Sequence, residues 1–395
     1  MRSFSKLGLG AITVTTMATT TFPFIVASVL AAQLLEEFDI GRAQVGFLVT
    51  ATGLVGALAS PALGRLTDRL GGVKSTTWTL LAGVVSLAAL AVSPTYAVLV
   101  TAAVLTGIPN GWGNPATNAL IVDNVASGAR GVVTGVKQSG VQVGTFLGGL
   151  FLPIFTVWWN WRVAVLIFLA MPLAGLVGMI GRRDVDHHES RGTMLVTGKL
   201  PTTVAWIAVY GFVSGLASSA IIGFLPLFAV EDQLWSKTAA GSIIAAVGLT
   251  GIFSRILWSR VSERFVGHGR TLRILSWMTT VTGVTLALAS MGVLPSWVLV
   301  PAAFLLGGGA VAWNAVGMLA VMEISPPGLV GKGTGSVLFG FLLGVAIGPP
   351  LMGYSVDVLS TYTPGWLTAA GLMATSALIA YRVPDGRDLP VQERS

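Results

Sequence analysis

The sequence predicts an all-α polytopic membrane protein, with twelve transmembrane helices in two pseudo-symmetric six-helix bundles. Three observations support this fold class. Of the 395 residues, 53% are hydrophobic and only 10% are charged, whereas a soluble globular domain carries about 25% charged residues. Apolar runs long enough to cross a bilayer recur along the whole chain. The two halves of the sequence also match one another at polar as well as glycine positions.

A membrane-spanning helix needs about 20 mostly apolar residues, and twelve such runs are separated by short polar turns. Predicted helices 1 to 12 cover, in chain order, residues 9–35, 43–63, 76–93, 97–121, 131–155, 162–181, 202–229, 238–258, 272–291, 297–321, 331–355 and 364–381. The first apolar run is too long for the core of a cleavable signal peptide, so we interpret it as helix 1.

The domain organisation follows from the longest polar segment, residues 182–200. It divides an N-terminal six-helix bundle, residues 1–181, from a C-terminal bundle, residues 201–383, and residues 384–395 form a tail. Most of the 23 lysines and arginines fall in loops and tails on one side. Because cytoplasmic loops are enriched in Lys and Arg, we predict that both termini and the 182–200 linker are cytoplasmic, in a protein of the cell membrane.

The halves resemble each other most clearly after helices 2 and 8. Residues 64–69 are Gly-Arg-Leu-Thr-Asp-Arg, and residues 259–264 are Ser-Arg-Val-Ser-Glu-Arg. Further along, where the offset between the halves changes from about 195 to about 200 residues, Asn114 corresponds to Asn314 and Asp123 to Glu323. The pattern predicts two parallel six-helix repeats, with a binding site between them near the middle of the membrane.

Two cations interrupt the predicted helices, Lys137 in helix 5 and Arg255 in helix 8, while every acidic residue lies in a loop or near a helix end. A charge at the membrane centre costs at least about 2.5 kcal/mol, so it normally faces a cavity and has a function. Cations without a nearby carboxylate favour an anionic ligand. The alternative for each is a side chain that extends along its helix to the cytoplasmic surface.

Other polar side chains within the helices extend the predicted binding site. On helix 4 three asparagines are spaced four residues apart and therefore share one face. The predicted lining residues are Asn110, Asn114, Asn118, Gln138, Gln142, Tyr210, Ser214 and Asn314. For each of them the alternative is a hydrogen bond between helices of the same half.

The segment after helix 2, residues 64–74, resembles the signature loop of the major facilitator superfamily, although Gly72 and Val73 depart from its basic end. The resemblance implies transport by alternating access, in which two bundles rock about a central site. It also implies that Asp68 meets the start of helix 11 and Arg130, and that Glu263 meets the start of helix 5. The predicted gating residues are Gly64, Asp68, Arg69, Arg130, Glu263 and Arg264.

A second resemblance concerns one branch of that superfamily. Arg255, four residues before the second loop, is similar to the substrate-binding arginine of monocarboxylate porters, and the Gly-Pro-Pro-Leu run that begins at Gly348 is similar to their helix 11. Those porters carry an acidic residue four positions before the arginine. Gly251 stands there in this sequence, so their proton relay is not implied.

The functional hypothesis is a secondary active transporter of a small organic anion, a carboxylate, with or without a co-transported proton. The alternative is a drug or multisolute exporter of the same fold, but helix 5 lacks the Gly-Pro pair and helices 1 and 4 lack the acidic residue typical of that class. There are no cysteines, and no nucleotide-binding loop or nucleophile pattern. We therefore expect a monomer in the lipid bilayer that is not an enzyme, with no cofactor, no metal and no nucleic-acid partner.

Overall fold

The computed structural model describes residues 5–126, 130–184, 199–326 and 329–385. Within these ranges the regular structure is helical. Ten of the described helices are long and apolar enough to cross a membrane. The other two of the twelve predicted helices, helices 4 and 12, are also present but are not among these ten. Helix 12 has only 17 residues.

The observed helices follow the predicted order. Those of the N-terminal half are helix 1 (Lys6–Val29 continued by Ala31–Phe38), helix 2 (Arg42–Leu70), helix 3 (Gly72–Ala91), helix 4 (Tyr96–Asn124), helix 5 (Arg130–Trp158) and helix 6 (Trp161–Ile167 and Ala170–Met179). Those of the C-terminal half are helix 7 (Thr202–Glu231), helix 8 (Lys237–Val261), helix 9 (His268–Ser290), helix 10 (Leu299–Gly309 and Trp313–Ile324), helix 11 (Val330–Leu359) and helix 12 (Thr363–Ile379).

Helices 2 and 8 are longer than the hydropathy pattern predicts. Helix 2 continues through the predicted loop to Leu70, and helix 8 is followed directly by a π-helical turn, Ser262–Val266. The chain turns only at Gly71 and Gly267, whose φ angles of 86° and 90° favour glycine. The end of helix 2 predicted near residue 63 was too early, because polar residues can continue a helix beyond the membrane and glycine is what stops it here.

Close helix packing in each half depends on glycine. A side chain at Gly140 of helix 5 would clash with the carbonyl oxygen of Val14 in helix 1. A side chain at Gly344 of helix 11 would clash in the same way with Phe212 of helix 7. Small residues let membrane helices approach closely. The equivalent pairs, helices 1 and 5 and helices 7 and 11, agree with the predicted sequence repeat.

The chain forms two compact units that mix segments of the two halves. The first unit comprises Met1–Thr193, Ile222–Leu249 and Pro349–Ser360, and the second comprises Met194–Ile221, Thr250–Gly348 and Thr361–Ser395. The first unit therefore includes the ends of helices 7 and 11 and the start of helix 8. Most of the predicted 182–200 linker and 384–395 tail lies outside the described residues, and the predicted division into two bundles stays a prediction.

Candidate functional site

Lys137 is the centre of the candidate site in the first unit. Its side chain lies on helix 5 and is only 1% exposed. The Nζ atom donates hydrogen bonds to Oδ1 of Asn114 at 3.0 Å and to Oδ1 of Asn118 at 2.7 Å. Both asparagines lie on helix 4, one helical turn apart. The structure thus brings together three of the residues that the sequence predicted.

The ammonium group determines how the two amides are oriented. Lysine can only donate hydrogen bonds, so the carbonyl oxygens of Asn114 and Asn118 must face Nζ and their NH₂ groups must point elsewhere. Gln138, the next residue on helix 5, adds a third donor because its Nε2 atom donates to Asn114 Oδ1 at 3.2 Å. Asn114 is half-buried and Asn118 is exposed. The outer surface of this cluster therefore carries amide donors.

No Asp or Glu among the described residues forms an ion pair with Lys137. Two neutral amide oxygens stabilise the ammonium by hydrogen bonding but do not cancel its charge. An uncompensated buried charge is strongly unfavourable. The cluster can therefore bind an anion, which would supply the missing charge and accept hydrogen bonds from the amide donors.

Two further predicted residues of the first unit lie near this cluster in sequence but do not join its hydrogen bonds. Asn110 donates through Nδ2 to the carbonyl oxygen of Thr20 in helix 1 at 3.0 Å, and its oxygen packs against Gly56. This is the interhelical role that was the alternative for Asn110. Gln142 follows Lys137 on helix 5 and is 4% exposed.

Tyr210 and Ser214 lie in the hydrophobic core of the second unit and do not line an open surface. Both are fully buried. The Tyr210 hydroxyl forms a hydrogen bond with the Ser276 hydroxyl at 2.9 Å, and Ser214 donates to Ser376 at 3.2 Å. The sequence pattern could not separate these core positions from lining positions because both lie on apolar helices. As packed here, the two residues connect helices within the unit.

The remaining predicted binding residues also belong to the second unit. Arg255 is half-buried on helix 8, next to Ser254, whose hydroxyl donates to the carbonyl oxygen of Gly307 at 2.9 Å. Asn314 is half-buried just after the interruption of helix 10 at residues 310–312. Lys137 belongs to one unit and Arg255 to the other, so their sharing of one ligand stays a prediction.

The predicted gating residues are mostly exposed: Asp68, Arg69, Glu263 and Arg264. Gly64 is half-buried within helix 2, with open space where a side chain would lie. Arg130 does not form the implied ion pair with Asp68. Its guanidinium donates to the carbonyl oxygens of Val125 and Val122, both at 3.0 Å. A cation at this end of helix 4 satisfies terminal carbonyl groups and complements the helix dipole.

The family model of the Major Facilitator Superfamily matches residues 8–209 and again residues 207–394. The chain belongs to the major facilitator superfamily. This superfamily transporter is 26% identical to a probable nitrate/nitrite transporter of Mycobacterium tuberculosis, with 93% of each chain covered. It is 24% identical to monocarboxylate transporter 13 of Rattus norvegicus, with 89% of this chain and 82% of the relative covered.

A solved structure agrees on the fold. The crystal structure of a D-xylose-proton symporter superposes on this superfamily transporter with a TM-score of 0.80, covering 96% of this chain and 98% of the symporter at 16% identity. The predicted twelve-helix fold is consistent with this match, and the resemblance noted in the signature loop is confirmed. The protein is a multi-pass membrane transporter and not an enzyme.

Proposed function

We propose that the transporter carries a small organic anion, a carboxylate, across the cell membrane by alternating access. The observation that carries this proposal is the buried Lys137 ammonium, whose described partners are amide oxygens and not carboxylates. A substrate carboxylate would compensate the charge. A hydrogen bond to a charged group contributes about 1.5–3 kcal/mol.

The relatives support an anionic substrate without naming it. One is named for nitrate and nitrite and another for monocarboxylates, and all of these are small anions. We propose Arg255 as a second cation for the substrate, since a planar guanidinium binds a carboxylate through two parallel hydrogen bonds. We also propose cytoplasmic termini, because the basic residues lie mostly on that predicted side.

The test is a thermal-shift screen of the purified protein with acetate, lactate, succinate and nitrate, and with a cationic dye as the probe for the exporter alternative. A ligand that binds the folded state raises the melting temperature. We expect a carboxylate to do so. We expect Lys137→Met and Arg255→Lys each to weaken its binding by roughly 10- to 150-fold.

The matched control is Lys199→Met, because Lys199 is an exposed lysine outside the helices. It should bind carboxylates as the parent does. The proposal fails if the Lys137 and Arg255 variants keep the parent's affinity, or if the dye shifts the melting temperature and every anion leaves it unchanged. The second result would favour the exporter.

A further inference from the structure

We infer that Asn114 and Asn118 determine the charge selectivity of the Lys137 site. This inference rests on the proposed function. The two amides occupy the positions from which a carboxylate would neutralise the ammonium, at 3.0 and 2.7 Å from Nζ. Because an amide is neutral, it holds the lysine side chain in place while leaving one positive charge for the substrate.

The orientation of the two amides adds a second criterion by which the site selects its ligand. Their oxygens are engaged by Nζ, and among the described residues nothing accepts a hydrogen bond from either NH₂ group. The lysine itself has three N–H donors, of which two are used in the described part of the chain. A ligand at this surface therefore meets donors. A deprotonated carboxylate can accept hydrogen bonds from such donors and also compensates the lysine charge, whereas an alcohol does not compensate it.

The Asn118 amide both holds the lysine side chain and leaves its charge for the substrate. Asn118→Asp separates these two roles because it keeps the shape of the side chain and changes its charge. The new carboxylate would pair with the buried Lys137 ammonium and would repel an anion. We expect carboxylate binding to fall at least tenfold. We expect the melting temperature without ligand to equal or exceed that of the parent, because the buried lysine gains a charged partner. Asn114→Asp should act in the same way.

The matched control is Asn124→Asp, which makes the same change on the same helix. Asn124 is exposed and donates to the carbonyl oxygen of Leu120 in the preceding turn, at 2.9 Å. It should leave binding unchanged. If the parent binds carboxylates and both Asn118→Asp and Asn114→Asp bind them equally well, the selectivity role is excluded and the proposed function stands. If the parent binds no carboxylate, the proposed function itself fails.

A different observation, at the opposite end of the helices, carries a second inference. Asp357, near the end of helix 11, accepts hydrogen bonds from the backbone N–H groups of Arg42 at 3.1 Å and Ala43 at 2.9 Å. These are the first residues of helix 2, where unpaired N–H groups and the helix dipole favour a carboxylate. A Cβ atom at Gly41 would lie 2.9 Å from the carboxylate, so glycine leaves room for it.

The Arg42 side chain extends this contact to helix 7. Its guanidinium binds Glu231 through two parallel hydrogen bonds of 2.9 Å each and contacts Asp357 at 3.2 Å. Lys237, at the start of helix 8, forms an ion pair with Glu36 of helix 1 at 2.7 Å. The partners of Arg42 are 189 and 315 residues away along the chain. These contacts join the N-terminal half to the C-terminal half within the first unit.

We infer that Arg42, Glu231 and Asp357 form a latch, which holds the halves together at the predicted extracytoplasmic end and must open for the substrate to pass there. The arrangement mirrors the signature loop. Helix 11 ends near Asp357 at the start of helix 2, and helix 2 ends near Asp68, which the family resemblance places at the start of helix 11. In this structure the Asp357 carboxylate accepts hydrogen bonds from the start of helix 2. Asp68, in contrast, is exposed, and no described residue pairs with it.

Ser28 offers a reporter for the latch. It lies at the end of the first segment of helix 1, Lys6–Val29, is 2% exposed, and donates to the carbonyl oxygen of Ile222 in helix 7 at 2.7 Å. The chain has no cysteine, so Ser28→Cys gives a single thiol. In purified protein we expect slow reaction of this thiol with a maleimide, and a rate at least fivefold higher after Glu231→Gln and Asp357→Asn are combined.

The control is Asp385→Asn, which removes an ion pair with Arg273 at 3.3 Å within the second unit. It should leave the labelling rate at the value of the Ser28→Cys parent. An unchanged rate in the Glu231→Gln, Asp357→Asn protein would overturn the latch. The measurement needs no substrate, so its outcome is independent of the proposed function.

Discussion

At the scale of single residues, the main feature is a lysine that is buried without a countercharge among the described residues. Burying an ion removes its hydration, and replacing a buried ion pair by apolar side chains of similar volume is often neutral or stabilising. Lys137 has two amide oxygens as partners, which offset only part of that cost. A structural role in stability alone does not explain why a cation occupies this position.

Lys137→Met is therefore expected to separate stability from function. The variant should keep the parent's melting temperature or raise it, equivalent to about 0–4 kcal/mol of stabilisation, while losing the shift caused by carboxylates. Thermal unfolding of the purified protein with and without ligand measures both. A variant that unfolds at a lower temperature yet still binds carboxylates would contradict this account and would make Lys137 a structural residue.

At the scale of helices, glycine positions decide how closely neighbouring elements pack. Gly140 and Gly344 lie where helix 5 meets helix 1 and where helix 11 meets helix 7. Gly135 and Gly335 lie on the same two helices with open space where a side chain would be. All four positions carry the same residue type, so residue identity alone does not distinguish glycines at helix contacts from exposed glycines.

Alanine should lower the stability of the protein at the two contact positions and should not lower it at the two open positions. Gly140→Ala and Gly344→Ala force two backbones apart, which typically costs about 1–3 kcal/mol. Gly135→Ala and Gly335→Ala meet no neighbour and gain helix propensity, up to about 1 kcal/mol. Melting temperatures of the four variants measure the difference. Equal destabilisation in all four would mean that the close helix contacts do not limit stability.

At the scale of the whole molecule, charge placement predicts the orientation in the membrane. Ser5 belongs to the basic N-terminal end, and Leu234 lies between helices 7 and 8 and is 86% exposed. A membrane-impermeant thiol reagent added to intact cells should label Leu234→Cys and should not label Ser5→Cys. Labelling in both cases after permeabilisation is the control for reactivity. The reverse pattern in intact cells would show that the termini are not cytoplasmic.

The number and order of the helices, the repeat and the unusual position of Lys137 could all be predicted from the amino-acid pattern. Each of these depends on local composition: a span needs a run of apolar residues, and a charge within such a run stands out. Helix ends were less predictable, since helix 2 continues through polar residues to Leu70. The stop signal, Gly71, is visible in the sequence but is one of 50 glycines.

Which polar side chains contact one another could not be predicted in this way and depends on how the helices pack. Asn110, Asn114 and Asn118 share one helix face in the sequence pattern, yet Asn110 binds helix 1 and the other two bind Lys137. The contact between Arg42 and Asp357 joins residues 315 positions apart. A hydropathy pattern specifies that a helix is buried, but its partners depend on its rotation and on the packing of neighbours, which many distant residues determine together.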